Sequence, residues 1–523
     1  MRIDPGTRVF VRLNAVACSV ALFAAVIAGR AALDVVKTDA GRIAAGPVKD
    51  GVTAFLGIPY AAPPVGNRRW RPPQSAPKWD GVRRADRFGT SCMQNQPGSR
   101  LPWTEEFMTQ GPIGEDCLFL NVWTPAASAA ARLPVMVWIY GGGFNEGSGA
   151  VAVYDGTQLA RNGVLVVTLN YRVGALGFLA HPELTAESPH HSSGNYGLLD
   201  QIAALQWVRA NIRGFGGDPG NVTIFGQSAG AISVVDLMRS PLAQGLFARA
   251  IAQSGPGLLG RNALGGAATL RDREAAGVRY AESTHAHSLA DLRALPANVF
   301  FAATGGRADV PRGPFNDGWV LPDARPAKQV PLIVGFVADD IGIGGSAAAA
   351  SNTTIDSYKN DAGHAYGEEA DTFLKLYPAA ADDDVPRVQK AAARDRARVS
   401  MDVWASDQVN AGARVYTYYF DRVLPWPAHP EFGAFHTSEV PYIFKNLDRL
   451  DRPWEPVDRT VSETIAAYWT NFAKTGDPNG TGLPQWPAHT ADGHVTMQIG
   501  PRVGPMTIAD AARLQFFLRH LTK

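Results

Sequence analysis

Val222-Thr223-Ile224-Phe225-Gly226-Gln227-Ser228-Ala229-Gly230 is the stretch on which the fold turns: an apolar, β-branched run meets a Gly-x-Ser-x-Gly pentapeptide and then a helix-like segment, Ala231 to Arg239. A strand that reverses into a helix around one serine needs strained backbone there, and glycines two positions to either side let neighbouring chains approach without Cβ clashes. The spacing therefore predicts a nucleophile elbow, with the Ser228 hydroxyl held out at the strand's carboxyl end. The pentapeptide alone would also fit a plain Gly-Ser turn; the flanking strand and helix decide between the two readings.

Working outward, further short apolar runs read as strands buried on both faces: Pro134 to Tyr140, Val164 to Asn170, Leu332 to Gly335 and Val415 to Tyr419. Between them lie helix-like stretches such as Leu198 to Asn211, with Leu199, Ala203, Leu205, Trp207 and Val208 on one side. That alternation predicts an α/β fold with a doubly wound, mostly parallel central sheet. Two regions break the pattern. Residues 257–312 are rich in Ala, Gly and Arg without a clean strand, and residues 352–400 read as helical, acidic first and basic later. Both are expected to stand as cap-like insertions over the sheet's carboxyl end, where such insertions wall an active site.

With 523 residues, 46% of them hydrophobic and only 19% charged, the chain can bury a large core and does not read as disordered. Arg2, Arg8 and Arg12 precede an uncharged run from Ala15 to Gly29, the pattern of a secretory leader over residues 1–30 with cleavage near Ala28 or Ala31. The run is short for a membrane span, so no stable span is expected after cleavage. Formal charge is +1 overall and about −1 without Arg2, Arg8, Arg12 and Asp4, which does not favour a nucleic-acid partner. Cys18 would leave with the leader, so the mature chain keeps Cys92 and Cys117. In an oxidising compartment these can form a disulfide worth ~3.5 kcal/mol on loop entropy; two buried thiols is the other reading.

A serine that transfers acyl groups needs N–H donors aimed at the oxyanion of the tetrahedral intermediate. Gly141-Gly142-Gly143-Phe144, directly after the strand ending at Tyr140, can supply them from Gly142 and Gly143, with Ala229 as the third donor, each worth ~3 kcal/mol. A phosphate loop is the alternative for three glycines, but no Lys-Ser/Thr follows them. The base should be a late histidine, since this arrangement orders its triad Ser, acid, His. Of the 11 histidines, His436 in Gly433-Ala434-Phe435-His436-Thr437-Ser438-Glu439 lies in a small-residue loop after the Val415 strand. His190-His191 and His285-x-His287 lack a partnering carboxylate or cysteine pattern and read as surface rather than as metal ligands. For the acid, Asp339-Asp340 follows the Leu332 strand, and the residues alone do not choose between the two.

Taken together, the chain resembles the type B carboxylesterases, the group that includes cholinesterases, from about Gly51 to Trp486. The resemblance is carried by Phe55-Leu56-Gly57-Ile58-Pro59-Tyr60-Ala61, Pro63-Pro64-Val65-Gly66, Glu115-Asp116-Cys117-Leu118-Phe119-Leu120-Asn121-Val122, Trp138 to Phe144, Gly194-Asn195-Tyr196-Gly197-Leu198-Leu199-Asp200-Gln201, the elbow at Ser228, and Tyr468-Trp469-Thr470-Asn471-Phe472. It implies a single α/β-hydrolase domain over residues 31–523, with Ser228 as nucleophile, His436 as base and Asp340 as acid. The last is a departure: the family usually has glutamate there in a D-E-G pattern, and Ile341 stands in place of the glycine. The resemblance further implies that Ser254 is a supporting serine beside the acid and that Cys92 and Cys117 form the family's first disulfide. Arg69 with Glu115, and Arg172 with Asp200, match its structural ion pairs.

The function this implies is a secreted or periplasmic serine esterase that hydrolyses small-molecule carboxylic esters through an acyl-enzyme, with no cofactor and no metal. An amidase or carbamate hydrolase with the same triad is the alternative within hydrolases. A non-catalytic binding member of the family is the alternative outside them, and it would be expected to have lost the serine or the histidine. Gly255 to Gly260 and Ile343-Gly344-Gly345 carry no aromatic residue, which argues against choline esters, because an aromatic cage holds a quaternary ammonium. Trp103, between the cysteines, is a candidate for the wall of the substrate gorge.

Overall fold

The computed structural model describes residues 33–96, 98–255, 268–302, 311–322, 329–341 and 354–522. The leader over residues 1–30, Ile343-Gly344-Gly345 and most of Gly255 to Gly260 lie outside the described residues.

An 11-stranded sheet runs through the centre. Its parallel part has the order Leu165–Leu169, Leu133–Ile139, Gly217–Gln227, Arg249–Gln253, Leu332–Val337, Val415–Phe420, Val495–Ile499. Val503–Thr507 closes one edge antiparallel; Phe119–Thr124, Val52–Pro59 and Val48–Lys49 continue the other edge antiparallel. Helices cover both faces, among them Tyr196–Asn211, Ala229–Arg239 and Pro456–Thr475. The α/β, mostly parallel architecture expected from the apolar runs is the one observed.

The strands that sequence reading passes over have a common cause. Arg249-Ala250-Ile251-Ala252-Gln253 has low β-propensity, yet Ala250, Ile251 and Ala252 are fully buried between two longer strands, and that context makes them a strand. The antiparallel edge strands sit far from the Gly-x-Ser-x-Gly signal. In residues 257–312 the described part is helical, with Leu270–Ser283, Leu289–Ala294 and Val299–Ala302. Residues 352–400 hold Ile355–Tyr366, Ala370–Leu376 and most of Val385–Asn410. These last helices pack with Ala511–Leu521 around Tyr358, Phe373, Tyr377, Phe516 and Phe517, a core separate from that of the sheet.

Parallel packing brings the carboxyl ends of the strands to one edge, and two features fix the loops there. Cys92 and Cys117 are joined in a disulfide, and the loop between them is tied to the glycine loop after Tyr140. The Gln94 side chain exchanges hydrogen bonds with Gly147, accepting from its N–H at 2.7 Å and donating to its carbonyl at 2.8 Å, while Arg100 pairs with Glu146 at 2.5 Å. The second feature is Arg172, just past the strand Leu165–Leu169, whose guanidinium binds Asp200 in a fork of two 2.7 Å bonds. Both side chains are buried, and the Arg172 N–H also donates to Asp200 at 3.0 Å. Arg69 and Glu115 form a similar fork at 2.5 and 2.6 Å, and Arg69 also donates to the carbonyls of Arg293 and Leu295.

Removing one partner of a buried fork leaves the other charge uncompensated, whereas replacing both with apolar groups removes the charge as well. Asp200→Ala is expected to lower unfolding free energy by about 3–5 kcal/mol. The double variant Arg172→Met, Asp200→Leu should lose clearly less; urea denaturation of the three proteins measures both.

Candidate active site

Ser228 sits between strand Gly217–Gln227 and helix Ala229–Arg239 with φ 58° and ψ −124°, a backbone state that costs strain in any residue with a side chain. Its neighbours show what holds it there. Its N–H donates to the Gln253 carbonyl at 2.8 Å, its own carbonyl accepts from Ile232 at 3.0 Å, and a Cβ on Gly230 would overlap the Ile139 carbonyl. The helix thus packs so close to the adjacent strand that only glycine fits two residues after the serine.

Asp339 and Asp340 are both buried, and the chain turns them in opposite directions. Asp340 Oδ1 lies 2.5 Å from His436 Nδ1 and accepts from the Ile341 N–H at 2.8 Å, while Oδ2 accepts from the Val337 N–H at 3.3 Å. Asp339 instead meets Lys390 and Arg394, each at 2.5 Å, and accepts from the Ala434 N–H at 2.8 Å. Burial would raise the Asp339 pKa, but Lys390, Arg394 and the Ala434 N–H together hold it below the ordinary value. Asp339 also pairs with Phe435 in an isolated parallel bridge, so it fastens the histidine loop to the end of the Leu332–Val337 strand. Burial lowers the His436 pKa, yet the Asp340 carboxylate outweighs it and the net shift is upward.

Ser228, His436, Gly142 and Gly143 line one cavity of about 880 Å³. Gly142 and Gly143 have φ of 100° and 62°, left-handed backbone that turns the loop after Tyr140 over the serine. Ala229 is the first residue of its helix, where N–H groups lack intrahelical partners. Trp103 donates through Nε1 to the His436 carbonyl at 3.1 Å and to Thr437 Oγ1 at 2.9 Å, so it supports the histidine loop as well as lining the cavity. Met93, Phe107 and Met108 from the disulfide loop and Phe300 from the 257–312 region are among the apolar side chains that line it. His190 lies elsewhere, stacked on Trp319 at 3.9 Å, and His285 and His287 are exposed.

Two side chains at this site carry no signal in the sequence pattern. Gln227 places its amide nitrogen 3.1 Å from His436 Nε2, and Glu439, three residues after the histidine, is wholly buried. Glu439 Oε1 accepts from Gln253 Nε2 at 3.2 Å, and Oε2 is without a hydrogen-bond partner among the described residues. Ser254 Oγ, Ser438 Oγ and the Tyr418 hydroxyl share that condition. Ser254, expected beside the acid, donates its N–H to Gly335 at 2.8 Å, one strand end from Asp340. Burial, the largest cause, pushes the Glu439 carboxyl up from 4.5 to about 7, and Asp340 nearby adds to it.

The model of the Carboxylesterase family matches residues 33–517. Fumonisin B1 esterase of Sphingopyxis macrogoltabida is 39% identical, covering 87% of this chain and 85% of that protein. Para-nitrobenzyl esterase of Bacillus subtilis (strain 168) is 35% identical over 88% and 94%, and human cocaine esterase 32% identical over 98% and 96%.

Glu439 has a consequence for stability against pH. Below 4.5 the carboxyl is protonated in folded and unfolded chains alike; as pH rises towards 7 the unfolded chain gives up the proton first, so the folded state loses stability through that window. Glu439→Gln, which cannot ionise, should match wild type near pH 4.5 and exceed it increasingly up to pH ~7, by about 3 kcal/mol at the plateau. Denaturant melts of both proteins at a series of pH values measure the difference.

Proposed function

The chain belongs to the carboxylesterase family and is an esterase, and on that premise we propose that it hydrolyses carboxylic esters through an acyl-enzyme on Ser228. The observation that carries this is the buried 2.5 Å bond between His436 Nδ1 and Asp340 Oδ1, on the same cavity as a serine in strained elbow backbone. With Nδ1–H given to Asp340, His436 Nε2 keeps the lone pair that takes the Ser228 proton. Ser228 Oγ attacks the ester carbonyl, and its oxygen becomes an oxyanion facing the N–H groups of Gly142, Gly143 and Ala229. His436 returns the proton to the leaving alcohol. Water then enters, gives a proton to Nε2 and attacks the acyl-serine, and collapse of the second tetrahedral intermediate frees the acid and restores Ser228–OH. Asp340 keeps the tautomer and stabilises the imidazolium throughout, and every proton moves between the substrate, water and the chain's own groups.

The cavity of about 880 Å³, lined by apolar side chains such as Phe107 and Phe300 beside polar ones such as Gln94 and Asn145, suits a small-molecule ester with a bulky acyl or alcohol part. The relatives are named for chemically different compounds, fumonisin B1, para-nitrobenzyl and cocaine, so membership alone selects no one ester. Residues 31–523 are proposed to act as one domain after loss of the leader, with the 257–312 and 352–400 regions as insertions around the sheet's carboxyl edge. A secreted or periplasmic location fits the disulfide between Cys92 and Cys117. Among the described residues no helix is long and apolar enough to cross a membrane.

Ser228→Ala and His436→Ala are each expected to lower kcat by about 10⁶ while the fold persists. Only the serine variant should resist covalent labelling by an organophosphate at every concentration. Asp340→Asn should cost about 10⁴ in kcat through the wrong tautomer, whereas Asp339→Asn should act on stability, since it weakens the clamp from Lys390 and Arg394. A tenth of wild-type turnover in purified Ser228→Ala would overturn the nucleophile, and an exchange of the two aspartate phenotypes would move the acid to Asp339. Matched ester, amide and carbamate substrates measure which acyl bond is preferred.

A further inference from the structure

His436 is held from three sides, and one of them carries a charge distribution of unusual sign. Asp340 bonds Nδ1 in the plane of the ring. Trp103 meets the ring edge to face, with centroids 6.4 Å apart at 90°. The third contact is Gln227, the residue just before the serine, whose Nε2 is 3.3 Å from His436 Nδ1 and 3.1 Å from Nε2. An atom almost equally distant from both ring nitrogens cannot lie in the ring plane at that range without overlapping the carbon between them. The amide nitrogen therefore lies over the face of the imidazole, the geometry of an N–H group directed at a π system. Gln227 is 2% exposed, and its Oε1 lies beside Gly141, where an added Cβ would come within 3.2 Å of it. The side chain thus runs past Gly141 to the imidazole face, on the wall of the cavity.

The charges around His436 make this contact informative. Asp340, on the loop after Leu332–Val337, and Glu439, on the histidine's own loop, are the two carboxyls whose fields favour the imidazolium. The hydroxyls of Tyr418 and Tyr154, from the neighbouring strand and loop, lie by Glu439 and carry no charge at neutral pH. On the cavity wall Arg100 is neutralised by Glu146, and Arg312 stands at the lining contributed by the 257–312 region. Against these the Gln227 amide presents the positive end of its dipole to the ring at van der Waals range.

We propose that Gln227 is a positioning residue of the site: its amide N–H group, laid on the face of His436, keeps the ring aligned with Asp340 and opposes its protonation, so that Nε2 stays free to take the serine proton. This rests on the Ser228–His436–Asp340 reading above. A base loaded with a proton by its own carboxylate cannot start the reaction, and a neutral dipole on the remaining open face restrains that without removing the carboxylate. A glutamate at the same position would reverse the sign, because its carboxylate would stabilise the imidazolium from the face.

The test is the pH profile of kcat/KM on a neutral ester for wild type, Gln227→Glu and Gln227→Met, with active sites counted by organophosphate titration so that misfolded protein does not enter the rate. Activity rises with pH as His436 loses its proton, so this acidic limb reports the base. Gln227→Glu should move the limb up by about one pH unit or more, cutting kcat/KM at pH 6 by about tenfold relative to the alkaline plateau. Gln227→Met, of similar shape without the dipole, should move it up by less. A side chain that merely fills space would lower the plateau equally at all pH values and leave the limb in place; an unmoved limb in Gln227→Glu overturns the proposal. Ser228→Ala separates the two levels: if it retains turnover the triad itself falls, and if it is inactive while the Gln227→Glu limb stays put, only the role of Gln227 falls.

Discussion

The close approach of helix Ala229–Arg239 to strand Leu133–Ile139 sets the position of everything at the site. Gly230 rests against the Ile139 carbonyl, and Gly226 faces both that carbonyl and Gly230, so strand, elbow and helix interlock with no room for a side chain. Because the sheet is parallel there, the Leu133–Ile139 strand ends beside the elbow and delivers the glycine loop over it. Arg249–Gln253 and Leu332–Val337 end in line on the other side, which brings Ser254 and then Asp340 to the same edge. A side chain at residue 230 would push the helix outward and move the serine, the Ala229 N–H and the glycine loop relative to one another.

Three buried acidic side chains gather about His436 and its loop, and each is handled by different chemistry. Asp339 is neutralised by Lys390 and Arg394 and spent on holding the histidine loop. Asp340 faces the imidazole and two backbone N–H groups, which offset the cost of burying a charge. Glu439 has no Lys or Arg paired with it among the described residues, and burial moves its titration up to about 7 instead. Asp340 is shorter than the glutamate usual in this family, yet Oδ1 reaches His436 Nδ1, because the bridge between Asp339 and Phe435 draws the histidine loop down onto the strand end.

The cavity walls come from segments distant in sequence and are joined by polar clamps. The disulfide loop is bound to the glycine loop through Gln94 and Arg100, and Trp103 braces the His436 loop. The Arg172–Asp200 fork fixes the turn whose residues Val173 to Leu176 line the cavity. The cavity walls are thus loops anchored by polar clamps and buried ion pairs, while Ser228 and Asp340 sit just past the ends of the strands Gly217–Gln227 and Leu332–Val337.

The elbow at Ser228, the glycine loop, the late histidine and the long buried strands were legible in the chain itself, because each is a local pattern: apolar runs for strands covered on both faces, glycine where backbone must come close. The Arg249–Gln253 strand was not, since two alanines become a strand only through the neighbours that bury them. Nor could the sequence choose between Asp339 and Asp340, adjacent residues of one type. Their directions follow from which partners the fold brings from 50 to 100 positions away, Lys390 and Arg394 for one and His436 for the other. The same holds for Gln227 and Glu439, unremarkable letters that the fold buries against the imidazole and against Gln253 respectively. The local pattern determined that a serine would be presented at a strand end; only tertiary packing decided which carboxylate and which amide would meet the histidine, because those contacts depend on long-range register and burial rather than on spacing along the chain.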